Sequence, residues 1–455
     1  MPRGLPNIVL IVMDTARADR LSCYGHGRPT SPNIDALAAE GALFESAYSA
    51  GGWTLPSHAS LFTSRYPSAH GLNLVGDRLA AGTPTLAGQL KGLGYRTAGI
   101  TNNSFIGKLS GLCAGFESFT EPGPPLAWMR PALLRKIGRR IRRRLSAPRW
   151  DLGARATARL ATRELAADDG RPFFLFLNFM DAHQTYSAPA AYKFMFVNGE
   201  RGRAERVNQD VARLMARDVV MSDEDFRLLA DLYDGQLRYL DHHLGQLFDQ
   251  LRRRGLLDDT IVILTSDHGE NLGEHGLMGH IFSLYQPVVR VPLLIRYPEA
   301  FANGSRVSAP VSLVDVMPTL LDLLGAPAPE GLQGRSFLPG TEVREFNVAE
   351  YVAPQLDVLR RRFPKFDCSA YDRQLRAAIE GDWKLIWSSR GDHELYDLRQ
   401  DPAESRNLIA SRPDVARRLE EKLAAWVAAN GGGSAERASD IDRDTLERLS
   451  GLGYI

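Results

Sequence analysis

Near the start of the chain, Asn7-Ile-Val-Leu-Ile-Val-Met13 forms an unbroken apolar run rich in β-branched residues. A run of this kind can leave neither face in water, so it predicts a strand buried on both sides within a parallel sheet, with helices above and below. Similar runs recur at 96–101, 172–179, 260–265 and 291–296, and helical patterns at 84–93 and 226–251 lie between them. Strands alternating with helices predict a doubly wound α/β domain. A further helix is expected over 313–324, with Asp315 near its start and Gly325 at its end.

From about Glu342 the texture changes to short alternating runs at 374–380, 383–388 and 394–398, separated by Gly-Asp turns. These predict a small antiparallel sheet, followed by a helix over 413–429, a glycine-rich break at 431–433 and a terminal helical tail. The expected division is an α/β catalytic domain over 1–341 and a C-terminal subdomain over 342–455. No internal repeat is visible.

Charge and cysteine usage exclude several function classes. With 55 Lys+Arg against 54 Asp+Glu, the formal charge is +1, so no global field recruits nucleic acid. Cys23, Cys113 and Cys368 form an odd set without Cys-x-x-Cys spacing, which speaks against a disulfide framework and against a zinc ribbon. The first apolar run is too short for a signal-peptide core, and no stretch approaches the ~20 apolar residues that span a bilayer. A soluble, cytoplasmic protein is expected.

Ligands of open α/β sheets sit beyond the carboxyl ends of the strands, so polar residues that directly follow apolar runs are the first candidates. Met13 is followed by Asp14, Met180 by Asp181 and His183, and Ser266 by Asp267 and His268; Ala50 to Trp53 lead into Thr54. Asp14, Thr54, Asp267 and His268 make an oxygen and nitrogen ligand set for one divalent cation. Carboxylates with an imidazole favour manganese or zinc over calcium, which prefers all-oxygen cages. Pro56 and the apolar Leu61 and Phe62 place Thr54 at a helix N-terminus, where backbone N–H groups suit an anion. Taken alone, Thr54 reads first as a helix cap. Next to a metal and an anion site, its hydroxyl reads as a nucleophile.

Asn7 to Asp14, Arg28-Pro-Thr-Ser-Pro-Asn-Ile-Asp35, Leu37-Ala-Ala-Glu-Gly41, Pro56-Ser-His-Ala-Ser-Leu-Phe-Thr63, Arg65-Tyr-Pro67, Thr265-Ser-Asp-His-Gly269, Arg290-Val-Pro292, Asp315-Val-Met-Pro-Thr319 and Glu394-Leu-Tyr-Asp-Leu398 follow one another in order. This set resembles the sulfatase family of the alkaline phosphatase superfamily over nearly the whole chain. The resemblance implies a large mixed sheet sandwiched by helices plus a small C-terminal antiparallel sheet. It maps Asp14, Thr54, Asp267 and His268 onto the metal and nucleophile positions. His183 and His280 map onto substrate-contacting and leaving-group positions, and His58, in the place of an arginine, is expected to bind substrate with them.

The departures from that pattern bear on the chemistry. The formylglycine-forming Cys or Ser of Cys-x-Pro-x-Arg is Thr54, which cannot become formylglycine. The usual second Asp is Thr15, and a lysine after the Asp-His-Gly loop is His280. A formylglycine hydrate releases sulfate by collapse of a hemiacetal; a threonine ester must be hydrolysed by water. The expectation is therefore a metal-dependent hydrolase of small phosphate or phosphonate esters. A sulfuric ester hydrolase without formylglycine and a phospho-group transferase are the alternatives, and a non-catalytic anion binder is a weaker rival. His242 and His243 sit in a helical pattern with apolar neighbours and read as surface or packing residues. The arginine-rich stretch 130–149 carries Leu133, Ile137, Ile141 and Leu145 every fourth residue. It reads as a basic amphipathic helix that either touches an anionic membrane or polyanion, or covers the core as a solvated insertion.

Overall fold

The structure, a computed structural model, describes residues 4–121 and 152–437. The basic stretch 130–149 and the tail beyond 437 lie outside the described residues. In chain order, the strands of the main sheet are β1 Asn7–Met13, β2 Ala42–Tyr48, β3 Arg96–Thr101, β4 Ser118–Thr120, β5 Phe173–Phe179, β6 Thr260–Thr265, β7 Arg290–Arg296, β8 Ser305–Val307 and β9 Val311–Ser312. They form a nine-stranded sheet in the order β8-β2-β7-β6-β1-β5-β3-β4, with β9 also on β2.

The first apolar run lies at the centre of this sheet, parallel to both β5 and β6, with Val12 opposite Asn178 on one side and Thr265 on the other. Its alternating residues feed two cores. Ile8, Leu10 and Val12 join the cluster that contains Leu61, Phe62 and Leu86, whereas Val9, Ile11 and Met13 join the cluster with Leu37, Ala158 and Leu240. Each face is covered by helices: α1 Pro32–Ala39, α2 Thr54–Thr63, α3 Leu86–Gly92, α4 Ala154–Glu164, α5 Asp223–Arg253 and α6 Val316–Leu323. The long α5 opens on a capping box between Ser222 and Asp225.

The sheet is mixed because β7 runs antiparallel to both β6 and β2. Two antiparallel steps bring β2 back into the direction of β6, so the carboxyl ends of β1, β2, β3, β5 and β6 share one edge. The residues leading to Thr54 are not a strand, as their apolar character suggested. The strand is β2, and the chain passes from it through 49–53 into α2.

After the main sheet come β10 Phe346–Tyr351, β11 Leu375–Glu380, β12 Trp383–Ser388 and β13 Glu394–Asp397, an antiparallel sheet in that order, and α7 Pro413–Asn430. A third core joins this sheet to the body: Val348, Leu385, Leu395 and Leu419 pack with Ala50, Tyr66 and Val314. Among the described residues, no helix is long and apolar enough to cross a membrane.

Candidate active site

Four strand ends on the common edge converge. Asp14 follows β1, its backbone N–H extending the ladder to Phe179 O at 2.8 Å. Thr15 turns the chain with φ 61° and donates its N–H to Asp267 Oδ1 at 3.2 Å. Beyond β6, Ser266 Oγ donates to Met13 O at 2.5 Å, which pins the two strand ends together. The His268 N–H donates to Asp267 Oδ1 at 2.9 Å, and His268 Nδ1 lies 2.9 Å from Gly269 O, so its Nε2 is the nitrogen turned to the centre.

Thr54 is the first residue of α2, with Trp53 as its N-cap, so the cap reading of Thr54 does not describe it. Its Oγ1 lies 3.4 Å from His268 Nε2. His58, one turn on, places Nδ1 3.0 Å from Thr54 O and 3.4 Å from Asp267 Oδ2. Burial pushes its pKa down to about 3. A neutral His58 then donates its Nδ1–H to the Thr54 carbonyl.

Asp14, Asp267 and His268 are fully buried and each offers a ligand atom, all within 4.8 Å of one another. Burial raises the pKa of Asp14 to about 6, assisted by Asp267, and that of Asp267 to about 7. It also lowers the pKa of His268 to about 4, which keeps the imidazole neutral. Asp14 Oδ1 and Asp267 Oδ2 have no hydrogen-bond partner among the described residues. Two orphaned carboxylate oxygens beside a neutral imidazole nitrogen fit a divalent cation, because buried charge without a counter-charge is strongly unfavourable.

His183 and His280 come to the same place. Their ring centroids are 5.3 Å apart, and His280 is 4.4 Å from His268. His183 follows β5 in a turn closed by its N–H on Met180 O, and its Nδ1 lies 2.5 Å from Gln184 O. Its neighbour Asp181 is buried and accepts from the Leu152 N–H at 3.0 Å. Burial holds the His280 pKa well below the usual imidazole range.

Two further residues complete the centre. Asn103, after β3, donates Nδ2 to Asp14 Oδ2 at 2.9 Å. Glu270 places Oε1 3.5 Å from His280 Nδ1, and its Oε2 accepts from the Tyr186 hydroxyl at 2.5 Å. Burial raises its pKa to about 7. Arg17 clamps the segment after His268 by donating to Glu270 O at 3.0 Å and to Glu274 Oε1 at 2.7 Å. Neither Asn103 nor Glu270 was singled out from the sequence. Glu270 could have been found as the carboxylate two residues beyond the Asp-His pair.

Comparison with known proteins gives the same account of the family. The sulfatase family profile matches residues 6–326, and the profile for the C-terminal region of N-sulphoglucosamine sulphohydrolase matches 273–428. The choline-sulfatase of Rhizobium meliloti is 27% identical over 90% of this chain and 83% of its own. An N-acetylglucosamine-6-O-sulfatase of Bacteroides thetaiotaomicron is 25% identical over 92% of this chain and 85% of its own. The phosphonate monoester hydrolase of Agrobacterium radiobacter superposes with a TM-score of 0.72 at 25% identity, covering 93% of this chain and 96% of that one. The chain belongs to the sulfatase family of the alkaline phosphatase superfamily and is an ester hydrolase.

Proposed function

We propose that the chain is a metal-dependent hydrolase of small phosphate or phosphonate esters, with Thr54 as the nucleophile. The observation that supports this most directly is the position of Thr54 Oγ1, 3.4 Å from His268 Nε2 and at the first residue of a helix. Asp14, Asp267, His268 and Thr54 would hold one divalent cation, with manganese or zinc favoured over calcium. That cation would lower the pKa of the Thr54 hydroxyl and offset charge on the ester.

In the proposed reaction, the Thr54 hydroxyl passes its proton to His280 or His183, neutral at rest, as its oxygen bonds to phosphorus and the ester oxygen departs. His280 or His183 supplies a proton to that leaving oxygen and hydrogen-bonds the non-bridging oxygens, and the N–H groups at the start of α2 face the anion. Water then attacks the Thr54 ester, releasing the acid and restoring the hydroxyl. His58 holds the Thr54 carbonyl and so fixes the nucleophile's backbone.

Sulfate esters are a second reading, because choline-sulfatase and N-acetylglucosamine-6-O-sulfatase are among the relatives. The threonine weighs against it: no carbonyl hydrate is available to expel sulfate, so turnover depends on water attacking a covalent sulfate ester. The three unpaired cysteines suit a reducing, cytoplasmic setting.

Quenching turnover of an aryl phosphonate at low pH and mapping the adduct by mass spectrometry tests this reading. We expect the adduct on Thr54, and a loss of about three orders of magnitude or more in kcat/KM for Thr54→Ala. Full activity in Thr54→Ala, or an adduct elsewhere, sinks the assignment. A parallel assay with the matching aryl sulfate separates the two substrate readings.

A further inference from the structure

Helices α4 and α5 leave between them an open cavity of about 680 Å³, and its lining shares no residue with the Thr54 centre. The volume lies within the range of small-molecule sites. The α4 wall presents Arg155 and Arg159 one turn apart, and the α5 wall ends in Arg253. All three arginines are exposed. Arg159 and Arg253 form no ion pair with any described residue, and the described lining residues include no carboxylate. Arg159 and Arg253 thus line one cavity, beside Arg155, with no carboxylate among its described lining residues.

The floor is rigid. Tyr192 and Tyr239 meet edge to face with ring centroids 5.2 Å apart, and Tyr239 meets His243 at 4.7 Å and 87°. The Gln246 amide ties the two histidines, with Oε1 3.1 Å from His243 Nδ1 and Nε2 3.1 Å from His242 Nε2. Edge-to-face aromatic packing and a bridging amide hold the rings in place before any ligand arrives. An aromatic floor suits a carbon scaffold, and guanidinium forks at the rim suit tetrahedral oxyanions.

We propose that this cavity is an accessory binding site for a compact organic polyanion, a ring scaffold bearing two or more phosphate or sulfate groups. A single inorganic anion would engage only part of the guanidinium set and none of the floor. His242 and His243, read from sequence as surface or packing residues, form part of that floor. The proposal stands independently of the hydrolase reading, since it uses none of the residues around Thr54.

Calorimetric titration of the full chain with a hexose bisphosphate and with sucrose octasulfate, in buffer at about 0.15 M salt, tests the site. At least one probe is expected to bind with one molecule per chain, more tightly than inorganic phosphate or sulfate, and more weakly as salt rises. Which probe binds distinguishes phosphate from sulfate esters. The double variant Arg159→Gln/Arg253→Gln should weaken binding at least tenfold while keeping its thermal transition and its activity on an aryl ester. Arg399→Gln, a surface arginine 81% exposed on another part of the chain, should bind as the unaltered protein does. Absence of binding by both probes overturns the proposal. So does equal affinity in the double variant, or an equal loss in Arg399→Gln.

Discussion

Asn103 shows how one neutral side chain conditions a charged centre. Its Nδ2 donates to Asp14 Oδ2, while its Oδ1 accepts from the Phe105 N–H, so the amide orients the carboxylate and is itself held. Asn103→Ala should therefore weaken divalent metal binding by about 10–100-fold, the scale for loss of a partner that orients a ligand. Metal titration followed by a competing chelator checks this; unchanged affinity would show that Asp14 needs no such partner. The same carboxylates set a pH dependence. With Asp14 raised to about 6 and Asp267 to about 7, both take up protons as pH falls through that range. Metal must displace those protons, so apparent affinity should fall by tenfold or more between about pH 7 and pH 5. A flat profile would mean the ion is held by other groups. Asp14, Asp267 and His268 were legible in the sequence because each directly follows a run that can only be a buried strand. Asn103 was not, because it stands in an Asn-Asn pair two residues past the strand end, where a turn or cap role accounts for it equally well.

At the scale of elements, the turn after β6 decides whether Asp267 and His268, two of the proposed metal ligands, stay in place. Gly269 donates its N–H to Val288 O at 2.7 Å, and a Cβ on it would lie 2.0 Å from Pro287 O. The clash is with backbone that leads directly into β7, so neither side can yield without moving a sheet strand. Gly269→Ala should lower the melting temperature and abolish tight metal binding together, because His268 is the adjacent residue. Gly276→Ala is the control: its φ is +70°, but a Cβ there meets nothing within 4 Å, so only about 1 kcal/mol of backbone strain is expected. Thermal unfolding with and without metal distinguishes them, and equal effects would refute the steric account. Legibility at this scale followed burial. Runs buried on both faces gave β1, β3 and β6 to the residue, but such a run carries no sign of direction, so the antiparallel β7 could not be read. The strands β2 and β10 were missed because polar residues interrupt them. Glu45 and Ser46 break the apolar pattern of β2. In β10, Glu350 is buried only because Arg376 and the Ser68 N–H satisfy its carboxylate, and those partners are distant in sequence.

For the whole molecule, the C-terminal sheet grips the body through a buried charge as well as through its apolar core. Lys384 on β12 pairs with Glu404 at 2.6 Å, both side chains having no exposed surface. Glu404 also accepts the Gln286 N–H at 2.5 Å, and Tyr285 next to it donates its hydroxyl to Glu394 on β13 at 2.8 Å. The C-terminal sheet thereby holds the segment 285–289, whose Val288 carbonyl receives the Gly269 N–H in the turn beside His268. Burial lowers the Lys384 pKa, and Glu404 opposes that shift, so the ammonium depends on this carboxylate. Breaking the pair from one side leaves a buried charge alone, which destabilises proteins by about 3–5 kcal/mol, whereas replacing both partners is often nearly neutral. Lys384→Met and Glu404→Gln should each lower stability by that amount. The double variant should recover most of the loss, since Gln at 404 retains an acceptor for the Gln286 N–H. Equilibrium denaturation of the four proteins forms the cycle. If the pair matters only to stability, activity per folded molecule will be equal in all four. If the C-terminal sheet positions the His268 turn through residues 285–289, the single variants will lose kcat before they unfold, and the double variant will regain it along with its stability.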